Sequence, residues 1–547
     1  MSKKARRFTC IACASLMALG MVGCGSPSAT TSSDDNPEVN SEMSQLYVSN
    51  FNGGVGTEWL YAARARFEEA YKDYSFEEGK KGVQVIVDTN KGLPADIAAT
   101  RSEIYFAENV NLYDYIYQGK VLEITDIVTE SLDMNGETES IEDKLSDEYK
   151  NFFKTPNGKY YALPHYRSTY ALTYDRDLFD EKDLFIGADG EVNQKSTSTS
   201  LSKGPDGKSG TYDDGLPATY AEFYNLCYNM TRRGVSPMHW SGMYNFYTTL
   251  FLAALKADFE GAENKMFYTF EGTATKLVDT INSDGTITYK APTTITKADG
   301  YKAYESAGTY YALDFFYNII KNEYYYTGAM NEATTHLDAQ ADFLLSNYAE
   351  TMAPIAMLVE GSWWPHESSS TFQQMESRYS NASLEERHLA LMPYPKATTA
   401  QVGEAQTIVD TSKSAAFINA TIKEEKIELA KTFMKFLHTE ESLVEFLLQT
   451  NMTRGFDFEV PTDVYNKLNT FAKSVVDVLK NGNVVLPMDN STLYYKNYST
   501  FDLEQIFATS YGTHPLVALK KGYTSSQIFE KARYKFNQAT WGPLLSE

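Results

Sequence analysis

Cysteine is nearly absent from this 547-residue chain, which has four. Three of them, Cys10, Cys13 and Cys24, fall at the very start, so the body of the chain holds Cys227 alone and closes no internal disulfide. A chain of this length can bury a core large enough to do without such staples. Histidine is also sparse: His165, His239, His336, His366, His388, His438 and His514 show no HExxH spacing and have no cysteine partners, which excludes the common zinc patterns. Positive charge is in deficit, with 49 Lys and Arg against 72 Asp and Glu and a net charge of −23, so nucleic acid is repelled. Complete nucleotide loops are missing too. Gly207-Lys208-Ser209 has Ser202 where a P-loop needs glycine, and it follows the polar STSTSLS instead of an apolar strand. Gly53-Gly54-Val55-Gly56 stands between the strand-like LYVSN and the helical WLYAARARFEEAY, but it lacks the third spaced glycine. The acid of Val87-Asp88 comes too late to hold a ribose. No fixed-period repeat is present, and the one marked apolar run, Phe8 to Val22, is too short for a comfortable membrane span.

What is present at the start is a basic MSKKARR followed by FTCIACASLMALGMVGC, the pattern of a secretory signal. Met21-Val22-Gly23-Cys24 resembles a bacterial lipobox. The resemblance implies a signal peptide over residues 1–23 and a lipid on Cys24, which would hold the protein at the outer face of the cytoplasmic membrane by that anchor alone. Residues 24–44 are rich in Ser, Thr, Asp and Pro and read as a flexible tether. Aromatics are in excess, with 40 Tyr, 30 Phe and 5 Trp supplying flat apolar faces with polar edges.

Strand-like and helical runs then alternate, the pattern of an α/β fold. LYVSN, VQVIVDT, IAMLVEG and SAAFIN read as strands. WLYAARARFEEAY, YFAENVNLYDYIYQ, ATYAEFYNLCYNMTRRG and KIELAKTFMKFLHT read as helices, the last with Ile427, Ala430, Phe433, Met434 and Leu437 on one face. Residues 186–215 are loop-like. There Asp206, Asp213 and Asp214, with Asp189 upstream, can supply oxygens to a structural calcium ion, or the stretch is an ordinary turn-rich loop. Lys208 stands where a second ligand belongs, and no glutamate closes the loop.

Six segments, FNGGVGTEWL, YALPHYRSTYALTYDRDLF, PATYAEFYNLCYNMTRRGVSPMHWSG, AMLVEGSWW, LMPYPK and SKSAAFINATIKEEKIELAKTFMKFLHTEES, together resemble the family 1 extracellular solute-binding proteins, the maltose-binding-protein-like receptors of ABC importers. The likeness lies in their order and spacing over nearly the whole chain. It implies a type II periplasmic-binding-protein-like fold of two α/β lobes around a ligand cleft. Residues 45–165 and 385–455 would form lobe 1, and residues 166–384 and 456–547 lobe 2. It further implies a monomeric receptor with no catalytic residue, which closes on a carbohydrate, an oligosaccharide, and delivers it to separate permease subunits.

By the same resemblance Asn52, Gly53 and Gly54 lie in a loop where a ligand approaches backbone N–H groups, or where the glycines only make a turn. Trp363 matches the family's stacking tryptophan, and Trp364 is a second wall or core. Glu108 and Asn109 match polar sugar contacts. Ala107 stands where a relative has a stacking ring, passing that task to Tyr105 or Trp59. Tyr166, Arg167 and Ser168 lie at the first crossover, Trp240 is a wall or packing, and Tyr494 and Tyr495 match a late aromatic wall. Two other functions stay open, a receptor for a non-sugar solute such as a peptide and a secreted glycan-cleaving enzyme.

Overall fold

The computed structural model describes residues 36–90, 92–94, 96–264, 270–274, 276–411 and 414–545. The signal segment and Cys24 lie outside them. The apolar runs become strands because both of their faces find cover. In chain order these are β1 (Ser44–Phe51), β2 (Val83–Asn90), β3 (Ile104–Glu108), β4 (Ala162–Pro164), β5 (Tyr170–Asp175), β6 (Ser236–His239), β7 (Ile355–Gly361), β8 (Leu389–Met392), β9 (Gln406–Val409), β10 (Ser414–Ile418) and β11 (Gly482–Val485), with short hairpins besides.

The first sheet runs β2-β1-β3-β10-β4, with β1 parallel to both neighbours and β10 antiparallel to both of its own. The second runs β8-β5-β7-β6, and β9 pairs with β11 separately. Helix α1 (Glu58–Ala70) lays Trp59, Leu60, Ala63 and Phe67 on the first sheet, and α2 (Phe246–Glu260) is buried along nearly its whole length in the second half. A mixed sheet covered by helices on both faces needs this near-continuous apolar content. The buried side chains fall into separate clusters. One gathers Leu46, Phe106, Tyr149, Phe417 and Phe433, and another Leu172, Met238, Phe251 and Phe316, so the chain has two α/β lobes.

Chain crosses between them at Tyr166–Thr169, beside Asp410-Thr411 and at residues 451–461. The first two are tied together. Thr411 N–H donates to the Ser168 carbonyl at 3.0 Å, Ser168 N–H to Asp410 Oδ1 at 3.3 Å, and the hydroxyls of Ser168 and Thr411 meet at 2.5 Å. The third is tied to the first where Arg167 N–H donates to the Thr453 carbonyl at 3.0 Å.

Three expectations are corrected. YFAENVNLYDYIYQ is a strand through Glu108, a left-handed Asn109 (φ 55°) and a helix only over Leu112–Tyr117, because Tyr105 and Phe106 fill the sheet between β1 and β10. The tether ends sooner than residue 44: Asn36 exchanges two hydrogen bonds with the Val87 backbone at 2.8 and 2.9 Å, and Gln84 bonds Glu38 and Asn40, so residues 36–43 cover the sheet edge at β2. The lobe boundaries also move. β8 belongs to the second sheet, so the chain re-enters lobe 1 at Ser414 and not at residue 385. Tyr494, Phe501 and Trp541 pack with Phe270 and Tyr304 into the first cluster and not the second.

Candidate functional site

The glycine loop is folded by its own side chains. Asn50, at the end of β1, donates to the Gly56 carbonyl at 2.9 Å, Gly56 N–H donates to the Gly53 carbonyl at 2.9 Å, and Thr57 Oγ1 donates to Asn52 Oδ1 at 3.2 Å. Asn52 is thereby occupied in shaping the turn. Gly54 and Gly56 have φ of +51° and +67°, a region where a side chain is strained. Each also has a neighbour where a Cβ would go. At Gly54 it would meet the Tyr166 hydroxyl at 2.6 Å and Glu108 Oε1 at 2.7 Å, and at Gly56 it would meet His366 Nε2 at 1.9 Å. His366 belongs to α3 (Trp364–Glu367), which follows β7 in the second lobe. The loop therefore lets one lobe close against the other.

Replacing Gly56 with alanine is expected to hold the lobes apart and lower ligand affinity at least tenfold. The unliganded protein should lose only about 1–2 kcal/mol, the cost of a left-handed backbone at a residue with a Cβ. Calorimetry for affinity and melting for stability separate the two effects.

Carboxylates and rings line this closure. Glu108, at the C-terminal end of β3, accepts a hydrogen bond from the Tyr166 hydroxyl. Across from it β7 ends in Glu360-Gly361, and α3 ends in Glu367. Gln340 donates to Glu360 at 3.0 Å and to Glu367 at 2.9 Å, and is itself held by Ser368 at 2.7 Å. Burial pushes Glu108 up to about 7, with Glu367's charge adding and the Tyr166 hydroxyl opposing. Burial also pushes Glu367 up to about 7 against the donations of Gln340 and Trp363, and it raises Glu360 further beside Glu367's charge. No Lys or Arg pairs with these three acids among the described residues. His336 lies 3.9 Å from Glu367, His366 lies 3.9 Å from Glu58, and burial lowers both histidines.

Trp363 is half-buried and packs against both clusters, so its indole lies between the lobes. It meets Tyr170 edge to face at 5.0 Å and folds back over Gly361, where a Cβ would strike the ring at 2.1 Å. Tyr247 lies 5.9 Å from Tyr170 and stacks on His336 at 5.8 Å. Trp363, Glu108 and Glu367 keep partial exposure at this closure, backed by the buried Tyr166, Tyr170, Tyr247, Gln340 and Glu360, and among the described residues no Lys or Arg pairs with the three acids.

The structure thus brings together Gly53, Gly54, Glu108, Tyr166 and Trp363 from the expected set. Others are placed elsewhere. Trp59 (3% exposed) packs on Phe106 at 4.9 Å, Tyr105 (1%) on Phe417 at 5.4 Å and Trp240 (0%) on Phe316 at 5.2 Å, while Trp364 (0%) donates its indole N–H to Thr173 at 3.0 Å. With Tyr494, buried beside Phe270, these rings are sealed in the cores and offer no face to a ligand. Tyr495 stacks on Tyr113 at 5.2 Å, Asn109 is exposed, and Ser168 is committed to the crossover. Arg167 donates to Asp457 at 2.7 Å and lines a separate cavity of about 580 Å³ with Phe456, Tyr465 and Lys480.

Sequence reasoning missed Glu360, Glu367, Gln340, His366, Tyr170 and Tyr247. One signal was available: Glu360 is the lone charge in the otherwise apolar IAMLVEG, and a buried acid in a strand needs a reason. The acidic loop closes on itself. Asp213 accepts from Asp206 N–H at 2.9 Å and Thr211 Oγ1 at 2.7 Å, Asp214 from Gly210 N–H at 2.7 Å, and Asp206 from Lys208 N–H at 2.7 Å. Among the described residues no group of three or more His, Cys, Asp or Glu is placed to hold a metal ion.

No family model and no curated protein matches the chain. Solved structures do. One, from a study of xylan utilization by the thermophilic bacterium Caldanaerobius polysaccharolyticus, superposes with a TM-score of 0.53 at 12% identity, over 90% of this chain and 100% of its own. A chitin oligosaccharide binding protein superposes with a TM-score of 0.50 at 13% identity, over 91% of this chain and 99% of its own. At such identities the likeness is one of fold: the chain has the two-lobe α/β solute-binding fold, with a cleft between the lobes.

Proposed function

We propose that this protein is a receptor that captures an oligosaccharide between its lobes and delivers it to a membrane importer formed by other chains. The observation that carries this reading is Trp363, a half-buried indole between the two lobes beside Glu108, Glu367 and the tyrosines. A sugar offers C–H faces to rings and hydroxyls to acceptors, and this surface supplies both. The two solved relatives, one from xylan utilization and one a chitin oligosaccharide binding protein, support a carbohydrate ligand. Three acids with no Lys or Arg paired to them among the described residues disfavour an acidic ligand, since a uronate would find no cation and would meet like charge once the acids ionise above about pH 7. The test is a calorimetric screen of neutral and uronate-bearing oligosaccharides, in which only the neutral class should give saturable heat.

The receptor works at the membrane surface through a lipid on Cys24, as a monomer. Cys24→Ala is expected to release it from the membrane fraction or stall its processing, because the acyl chains supply the attachment. Unchanged membrane retention would contradict the anchor.

One observation favours a second reading. Glu108 and Glu367 both hold protons up to about pH 7 within one cleft, the state a general acid for glycoside cleavage needs. Product analysis after long incubation with the same oligosaccharides decides it, since a receptor returns them intact.

A further inference from the structure

Between β6 and α2, on lobe 2, the chain makes a turn that carries Met243 and Tyr244, and both side chains are exposed. The turn is pinned in place. Ser241 Oγ and Met243 N–H each donate to the Thr334 carbonyl at 3.0 Å, and Tyr244 N–H donates to Ser241 Oγ at 3.0 Å. Gly242 lies so close to the facing chain that a Cβ there would meet the Asn331 carbonyl at 2.1 Å. The backbone is therefore fixed to the segment before the helix His336–Ser346, and it holds two large side chains in water.

The neighbours of Tyr244 place it beside the cleft. Its ring lies 5.5 Å from that of His336, whose Nε2 is 3.9 Å from Glu367 and whose ring stacks on Tyr247 at 5.8 Å. Phe246, half-buried, stacks on Tyr247 at 4.5 Å and comes within 6.1 Å of Tyr244. Through Tyr247 and Tyr170 this row of rings runs back to Trp363. Trp363, Phe246 and Tyr244 are the members that keep exposure, and the buried Tyr247 and Tyr170 join them from behind.

Single exposed rings need no explanation. A tyrosine and a methionine fixed side by side, at the outer end of an aromatic row that begins between the lobes, are a different matter, because exposed apolar groups in one place mark a contact. A turn set in advance orders little on binding, so such a contact loses little entropy. Continuity with the cleft decides what covers it. A sugar chain held at Trp363 and longer than the cleft must emerge, and on lobe 2 it meets the Tyr244 face for its C–H surface and the Tyr244 hydroxyl for its own hydroxyls.

We propose that Tyr244, with Met243 beside it, is an outer subsite that stacks on a sugar unit emerging from the cleft, so that the receptor discriminates oligosaccharides by length. This inference rests on the receptor reading above and adds to it a ligand longer than a disaccharide.

The test is calorimetric titration of the mature protein with cello-, xylo-, malto- and chito-oligosaccharide series, each from the disaccharide to the hexasaccharide. In a series that binds, affinity should keep rising beyond the disaccharide. Tyr244→Ala should cut the ratio of hexasaccharide to disaccharide affinity about tenfold, while Tyr244→Phe, which keeps the ring face, should retain most of it. The side chain is exposed, so the alanine variant should melt with the parent. If it does not fold, the length profiles of the parent and of Tyr244→Phe still decide. An affinity that stops rising at the disaccharide would overturn the outer subsite and leave the receptor reading standing. An alanine variant with the parent's ratio would do the same, and would assign the exposed turn to contact with another chain. No saturable heat from any series would contradict the receptor reading itself, and the subsite with it.

Discussion

Trp363→Ala is expected to lower oligosaccharide affinity ~30- to 1000-fold, a loss on the order of 2–4 kcal/mol. The indole offers a ring-sized apolar face that leaves water only when the lobes close, so its contribution belongs to binding more than to folding. It also donates to Glu367, and without it that carboxylate loses one of the two donors holding it against burial. Stability should fall less than the roughly 3–5 kcal/mol that truncating a core tryptophan costs. Trp364 is the internal control. Fully buried and bonded to Thr173, it should behave as core, losing stability first and binding only as the fold fails. If Trp363→Ala melts like Trp364→Ala and the surviving folded protein binds normally, the cleft assignment of Trp363 is wrong.

Glu108→Gln is expected to move stability and binding in opposite directions. Folded, Glu108 and Glu367 keep protons up to about pH 7. The unfolded chain releases them near its ordinary carboxylate value of about 4.3. The native state therefore binds more protons between those values, so stability is fully present below the window and is lost as pH rises through 7. Glutamine cannot ionise, yet it still accepts from the Tyr166 hydroxyl. The variant should melt higher than the parent at pH 8, by on the order of 1–3 kcal/mol, with a shallower pH slope. At pH 8, where the parent's Glu108 is ionised, the variant's affinity should be ~10- to 100-fold lower, because an amide accepts a sugar hydroxyl less strongly than a carboxylate does. Such a residue costs the fold something and serves the ligand. A variant that gains stability and keeps full affinity would show that Glu108 does not touch the ligand.

The alternation of apolar strands and amphipathic helices was enough to read the α/β class, since local period and tertiary burial agree at β1, α1 and β7. Lobe membership was harder to read, because it depends on which sheet a strand joins. β8 is four apolar residues that would suit either lobe, and only its pairing with β5 assigns it to the second. The site was half legible for a similar reason. Trp363 and the glycines sit in motifs whose spacing marks a turn, whereas Tyr170, Gln340 and Glu367 come from distant segments brought together only by β5, the helix His336–Ser346 before β7, β7 itself and α3 after it. With 40 tyrosines, composition could not separate a wall from a core. Trp59, Trp240 and Tyr494 illustrate this, as burial alone decides their role.

Calorimetric titration of the mature protein with neutral oligosaccharides is the sharpest test of a cleft that captures an oligosaccharide and returns it intact. Saturable heat is expected at one ligand per chain, with a negative heat-capacity change as the half-buried Trp363 leaves water. After saturation the signal should return to baseline, because nothing is consumed. Absence of heat across neutral oligosaccharides, or a continuing heat flow from turnover, would contradict it.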